Sequence, residues 1–217
     1  GIKGKMIFFS QKLSLKNVSA VLADSENSKK DIIKFLSVPE RKVFRVYLAA
    51  DSYYKKIIVK DGEKEELFKK YGLKNDFILY VGDVNYNKNL LNTIRAFEKA
   101  KVNLDLILIG KAFENIGLVE VKGLLALIKE LKIQDRVKIL GFVSDQELVF
   151  FYNLAVVYCQ TSLYEGFGLQ ILEAMASGLP IITTDYEGYE RYLDKKHTIL
   201  INPTIENIKK SIKKPLK

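Results

Sequence analysis

Cysteine is nearly missing from the chain: Cys159 is the only one among 217 residues. An intrachain disulfide is therefore excluded, and no metal-ligand spacing surrounds the residue. Its place beside the apolar run Leu154-Ala155-Val156-Val157-Tyr158 predicts a buried structural thiol in a cytoplasmic protein. Long hydrophobic runs are absent too. No stretch approaches the ~20 apolar residues that a membrane-spanning helix needs, and the N-terminus has no basic-then-apolar leader pattern. A secreted or membrane-spanning chain is not expected. Two nucleotide fingerprints also fail. The dinucleotide motif Gly-x-Gly-x-x-Gly is met only as far as Gly166-Phe167-Gly168, late in the chain, with Ile171 where the third glycine belongs. No Gly-x4-Gly-Lys-Ser/Thr loop occurs anywhere, which removes the P-loop nucleotidases.

What the chain does have is apolar material, 48% of its residues, enough for one sizeable core or one core plus a remnant. It also has a formal net charge of +9, unevenly placed. Residues 1–60 hold 13 Lys/Arg against 5 Asp/Glu, whereas the rest of the chain is close to balance apart from a lysine cluster at the tail (Lys209, Lys210, Lys213, Lys214, Lys217). Such a surface can attract nucleic acid, an anionic bilayer or a phosphorylated substrate. A solvated lysine-rich face explains it without a partner, and no nucleic-acid partner is expected.

From Phe77 onward, short apolar runs alternate with helical patterns. Strands are expected at 77–81, 104–109, 137–140, 155–159, 180–183 and 198–201. Helices are expected at 89–100 (with Leu90, Leu91, Ile94 and Phe97 on one face), 117–131 and 168–177, with a short one before Thr198. Ser144-Asp145-Gln146-Glu147 is a capping box that opens a further helix carrying Leu148, Phe151 and Tyr152. Strands apolar throughout and separated by helices predict a parallel sheet covered on both faces, a doubly wound α/β domain over residues 65–217. Residues 1–50 do not fit inside it. A helix over 5–17, a strand at 20–23, a helix capped by Ser25 or Ser28, and a strand at 43–47 make a β-α-β piece, and the polar stretch 51–64 reads as a linker.

The chemistry concentrates in Glu165-Gly166-Phe167-Gly168-Leu169 and the helix that follows. A glycine-rich turn that ends a strand and opens a helix directs backbone N–H groups and the positive end of the helix dipole at one spot. That is an anion site suited to a diphosphate. Glu165 stands in the turn and Glu173 lies about two helical turns further on, near the same face. Carboxylates beside a phosphate site are costly unless they accept hydrogen bonds from neutral hydroxyls, which sugars supply.

The same stretch, through Glu173-Ala174-Met175-Ala176-Ser177-Gly178-Leu179-Pro180, closely resembles the Glu-x7-Glu signature of family 4 glycosyltransferases. Tyr80-Val81-Gly82 with Lys88-Asn89-Leu90, Leu108-Ile109-Gly110-Lys111, Val137 to Val143, and Ile181 to Asp185 agree in order and spacing. Residues 20–51 look like the end of that family's N-terminal domain. The resemblance implies the GT-B architecture: residues 1–50 would end the N-terminal acceptor domain and 65–217 would be the C-terminal donor domain. It implies a hexosyltransferase that moves a sugar from a nucleotide-diphosphate donor, UDP- or GDP-linked, to a carbohydrate or lipid-linked acceptor with retention of configuration. By the same resemblance Glu165 would hold donor-sugar hydroxyls and Glu173 the ribose. The amides of Phe167, Gly168 and Leu169, after Gly166, would take the diphosphate, with Lys88 and Lys111 adding positive charge. Backbone groups near Phe142 and Val143 would meet the base.

Asp-x-Asp is absent, so neither a metal nor any cofactor beyond the nucleotide sugar is expected. Where the family usually has an arginine after the first strand, this chain has Asp83; Gln170 replaces a frequent proline. The first ~130 residues of a two-domain member would be missing, so this chain alone is expected to be inactive. Family 4 acceptors held at membranes, with the basic N-terminal stretch, suggest peripheral contact with the cytoplasmic leaflet. Two other readings stay open: a GT-B-fold sugar-nucleotide epimerase or phosphorylase, and a non-catalytic nucleotide-sugar-binding module.

Overall fold

The computed structural model describes residues 2–186, 193 and 196–214. Among them, eight strands form two all-parallel sheets. The smaller joins β1 (Val21–Ala23) to β2 (Val43–Arg45) through helix α2 (Glu26–Leu36). Ser25 is the residue that caps α2, its hydroxyl accepting from Ser28 N at 2.9 Å. Ala23, Val38 and Val43 form a small core there. Helix α1 (Ile2–Ser14) precedes it and leaves Met6, Ile7, Phe8, Phe9 and Leu13 exposed. No helix among the described residues is long and apolar enough to cross a membrane.

The larger sheet is made of β3 (Phe77–Val81), β4 (Asp105–Ile109), β5 (Val137–Leu140), β6 (Val157–Gln160), β7 (Ile181–Thr184) and β8 (Thr198–Ile201), in the order β5-β4-β3-β6-β7-β8. This is the doubly wound order in which the chain winds outward in both directions from the β3–β6 pair, so the switch point lies between those strands. Alternate residues of each strand feed opposite layers. Ile78, Tyr80, Leu106, Leu108 and Cys159 pack under α4 (Leu90–Ala100), α5 (Val119–Glu130) and α8 (Ile205–Lys213). Phe77, Leu79, Ile107 and Tyr158 pack under α3 (Asp61–Tyr71), α6 (Asp145–Leu154) and α7 (Leu169–Ala176). Cys159 is fully buried, and burial pushes its thiol up to about 12.

Several expectations shift. Residues 61–64, read as linker, already belong to α3, whose start is braced by Lys60 N donating to Glu63 Oε2 at 2.9 Å. The strand placed at 155–159 is β6 at Val157–Gln160, because Leu154 still closes α6. Leu91 is exposed while Leu90, Ile94 and Phe97 are buried, since the α4 face narrows at its first turn. Helix α8 was unforeseen; its lysines belong to an amphipathic helix that packs Ile208 and Ile212 against α4. The capping box at Ser144–Glu147 is present. The short helix expected before Thr198 falls on residues outside the described set.

The ends of β3 and β4 approach closely. A Cβ at Gly110 would lie 2.0 Å from the carbonyl oxygen of Gly82, a backbone atom that cannot swing away. Gly110→Ala is therefore expected to lower unfolding free energy by ~1–3 kcal/mol through overpacking, measured by chemical denaturation. An unchanged midpoint would show that these strand ends part freely.

Candidate donor site at the sheet switch point

Two loops leave the switch point side by side, one after β3 and one after β6. The β3 loop turns at Gly82, and the Tyr80 hydroxyl donates to Asp83 O at 2.7 Å. The Asp83 carboxylate is spent on the loop itself, accepting from Val84 N at 2.8 Å, and the residue is exposed. Buried Asn89, in a left-handed conformation (φ +57°), donates its side-chain amide to Thr161 O at 3.0 Å and Pro203 O at 3.2 Å. Leu163 N donates to Asn87 O at 2.6 Å. Lys88, between these two ties, is thus held over the β6 loop.

Lys88 Nζ lies 2.7 Å from Glu165 Oε1. Both side chains are largely shielded, with 17% and 10% of their surface exposed. The same oxygen accepts from Gln160 Nε2 at 2.9 Å and Ser162 Oγ at 2.5 Å. Gln160 is in turn oriented by the Tyr158 hydroxyl, 2.6 Å from its Oε1. Three donors therefore converge on Oε1, and Oε2 has no hydrogen-bond partner among the described residues.

Gly168 ends the turn at φ +83°, a left-handed value that favours glycine, and caps α7. The amides of Leu169 and Gln170, in the first helical turn, then have no intrahelical acceptor. Phe167 is buried with its ring 6.2 Å from Tyr47, and a Cβ on Gly166 would meet Ser28 Oγ at 3.2 Å. The Tyr164 hydroxyl donates to the Asp31 carboxylate. The two-stranded unit thus lies directly against the glycine-rich turn. Glu173, in the second turn of α7, is half-buried and accepts from the Tyr152 hydroxyl on Oε2 at 2.7 Å, and among the described residues its Oε1 has no partner. Burial pushes the Glu173 carboxyl up, and the Tyr152 hydrogen bond opposes that.

Not every expected residue joins this cluster. Lys111 stands exposed on the turn after β4, with no hydrogen bond or ion pair among the described residues. Phe142 is 69% exposed, and its N–H already donates to Glu114 Oε1 at 2.8 Å, so the backbone group expected at a base is engaged by a side chain. Val143 is buried in the core. Gln160, Ser162, Tyr152 and Glu114 were missed. A polar residue closing an apolar strand, as Gln160 does, was the one available signal. Among the described residues no cluster of three or more His, Cys, Asp or Glu could hold a metal ion.

Residues 63–217 match the family model of the glycosyl transferases, group 1. The O-antigen chain mannosyltransferase B of Escherichia coli is 29% identical over 178 residues, covering 79% of this chain and 45% of that protein. The Campylobacter jejuni N-acetylgalactosamine-N,N'-diacetylbacillosaminyl-diphospho-undecaprenol 4-alpha-N-acetylgalactosaminyltransferase is 29% identical over 189 residues, 86% of this chain and 47% of that one. The chain thus spans about half the length of the curated relatives it matches. Among solved structures, Anabaena HepE in complex with UDP and glucose superposes with a TM-score of 0.80 at 22% identity, over 94% of this chain and 55% of that one. A Rickettsia africae glycosyltransferase gives 0.79 at 20% identity, over the same shares. The chain thus has an α/β fold of the GT-B type and belongs to the glycosyl transferases of group 1.

Proposed function

We propose that this chain is the donor-binding half of a retaining, metal-independent glycosyltransferase that takes a UDP- or GDP-linked sugar. The observation that carries the reading is a repeated pattern at the glycine-rich turn. Glu165 and Glu173 each have one oxygen held by protein donors and the other open, beside the amide-bearing start of α7. Open carboxylate oxygens fit neutral sugar hydroxyls; the helix start and Lys88 fit a diphosphate. In the transfer, the bond from the anomeric carbon to the diphosphate breaks while an acceptor oxygen bonds to the same face of the sugar. The acceptor's proton passes to the leaving diphosphate. Charge developing on that diphosphate is what Lys88 and the α7 dipole would stabilise.

The acceptor would be a carbohydrate or lipid-linked saccharide bound chiefly by residues outside this chain, so turnover by this chain alone is not expected. The basic residues of the first 60 and the exposed apolar side chains of α1 support peripheral contact with an anionic cytoplasmic leaflet. Calorimetric titration with UDP and with GDP tests the central claim. Saturable binding of one of them is expected; no heat with either nucleotide or its sugar conjugates would remove it.

A further inference from the structure

Beyond occupying one Glu173 oxygen at the donor site, the Tyr152–Glu173 hydrogen bond is firmly anchored at its donor end. Tyr152 is fully buried on α6, and its hydroxyl meets a carboxylate on α7. Its ring is wedged. Tyr54 stands edge-on at 5.6 Å with an interplanar angle of 89°, and Tyr158 lies at 6.0 Å on another side. A phenol held between two others cannot swing, so its hydrogen bond sets the plane of the Glu173 carboxylate and commits Oε2. We propose that Tyr152 is a positioning residue for nucleotide recognition, fixing Glu173 so that its open Oε1 meets the ribose diol. This rests on the donor-site reading above.

A second consequence concerns charge. Glu173 accepts more strongly from hydroxyls on its open oxygen when ionised, and burial works against ionisation while Tyr152 works for it. Among the described residues, the titratable groups facing Glu173 are Tyr152 on α6, Tyr54 in the segment before α3, and Tyr158 on β6. Burial raises all three phenols, Tyr54 to about 12, so none ionises near neutral pH. Removing the Tyr152 hydroxyl leaves burial, already the larger influence, unopposed. Glu173 then takes up its proton at a higher pH, and nucleotide affinity falls earlier on acidification.

The test titrates the full chain with UDP and GDP and with their 2′,3′-dideoxy counterparts. The wild-type protein is expected to favour the diol by on the order of ten- to a hundred-fold, as a charge-assisted hydrogen bond allows. Tyr152→Phe should reduce that preference by about three- to ten-fold, leave affinity for the dideoxy ligand unchanged, and move the acid limb of binding to higher pH. Equal wild-type affinity for diol and dideoxy ligands would overturn the ribose assignment itself, and this inference with it. A wild-type preference retained in full by Tyr152→Phe, or equal losses for both ligands, would overturn the positioning role alone. Should Tyr152→Phe not fold, Glu173→Gln probes the same bond from its other end. The acid limb should then vanish, and its persistence would refute the inference.

Discussion

Lys88→Ala is expected to lose affinity for a nucleoside diphosphate by about ten- to a hundred-fold and stability by ~3 kcal/mol. The two losses have different origins. The first follows from removing a cation held at the C-terminal edge of the sheet, where open α/β folds bind ligands. The second follows from stranding Glu165, which is shielded from water and takes Lys88 as its ion-pair partner. Breaking a buried pair from one side costs ~3–5 kcal/mol, and Glu165 keeps Gln160 and Ser162 as donors, which places the loss at the low end. Calorimetry reads the affinity and urea unfolding the stability. Lys111→Ala is the control: exposed and apart from the cluster, it should shift stability by less than ~0.5 kcal/mol and binding far less than Lys88→Ala. If Lys88→Ala loses stability but binds UDP and GDP normally, Lys88 is only a structural counterion to Glu165.

Glu165→Gln should move the two ligands in opposite directions. The family resemblance implies that bare nucleoside diphosphate is indifferent to Glu165, because its expected partner is the sugar. The ion pair changes that expectation. Glu165 pairs with Lys88, the cation proposed for the diphosphate, so on that reading removing its charge removes a competitor. Bare UDP or GDP should bind about two- to ten-fold more tightly, while the intact nucleotide sugar loses ~1.5–3 kcal/mol of binding, the worth of a hydrogen bond to a charged group. Paired titrations with each nucleotide and its sugar conjugate measure the split. Equal losses for both ligands would place Glu165 with the phosphates or in a purely structural role. Bare-nucleotide affinity that stays put would mean that Lys88 leaves Glu165 at no cost.

Strands β3, β4, β5, β7 and β8 were legible to within a residue, because each places apolar residues on both faces and is bounded by turn residues. Helix α6 was legible through its cap. The misreadings have a common physical cause. Helix α3 buries a single residue, Leu67, and so looks like polar linker. Helix α8 is so rich in lysine that charge hides its Ile205, Ile208 and Ile212 spacing. At the site, Glu165, Gly168 and Glu173 could be found because one contiguous turn and helix carry them. The resemblance names Lys88 as well, but its ion pair with Glu165 and the Tyr152–Glu173 bond have no local signal. Lys88 is 77 positions from Glu165 and Tyr152 is 21 from Glu173, and each contact is created by strand order and helix packing that no local pattern encodes. The engagement of the Phe142 amide by Glu114, across 28 positions, is of the same kind.

The single thiol at the heart of the large sheet also makes the protein its own reporter. Cys159 sits on β6, between β3 and β7, with no exposed surface. Alkylation proceeds through the thiolate, and burial both raises this thiol to about 12, which suppresses that form, and blocks the reagent. Labelling must therefore wait for the central strands to separate, and with no second cysteine every labelled molecule records the same event. The alkylation rate counts those separations without any engineered probe. A nucleotide that binds only the closed sheet would lengthen the interval between them by the factor 1 + [L]/Kd.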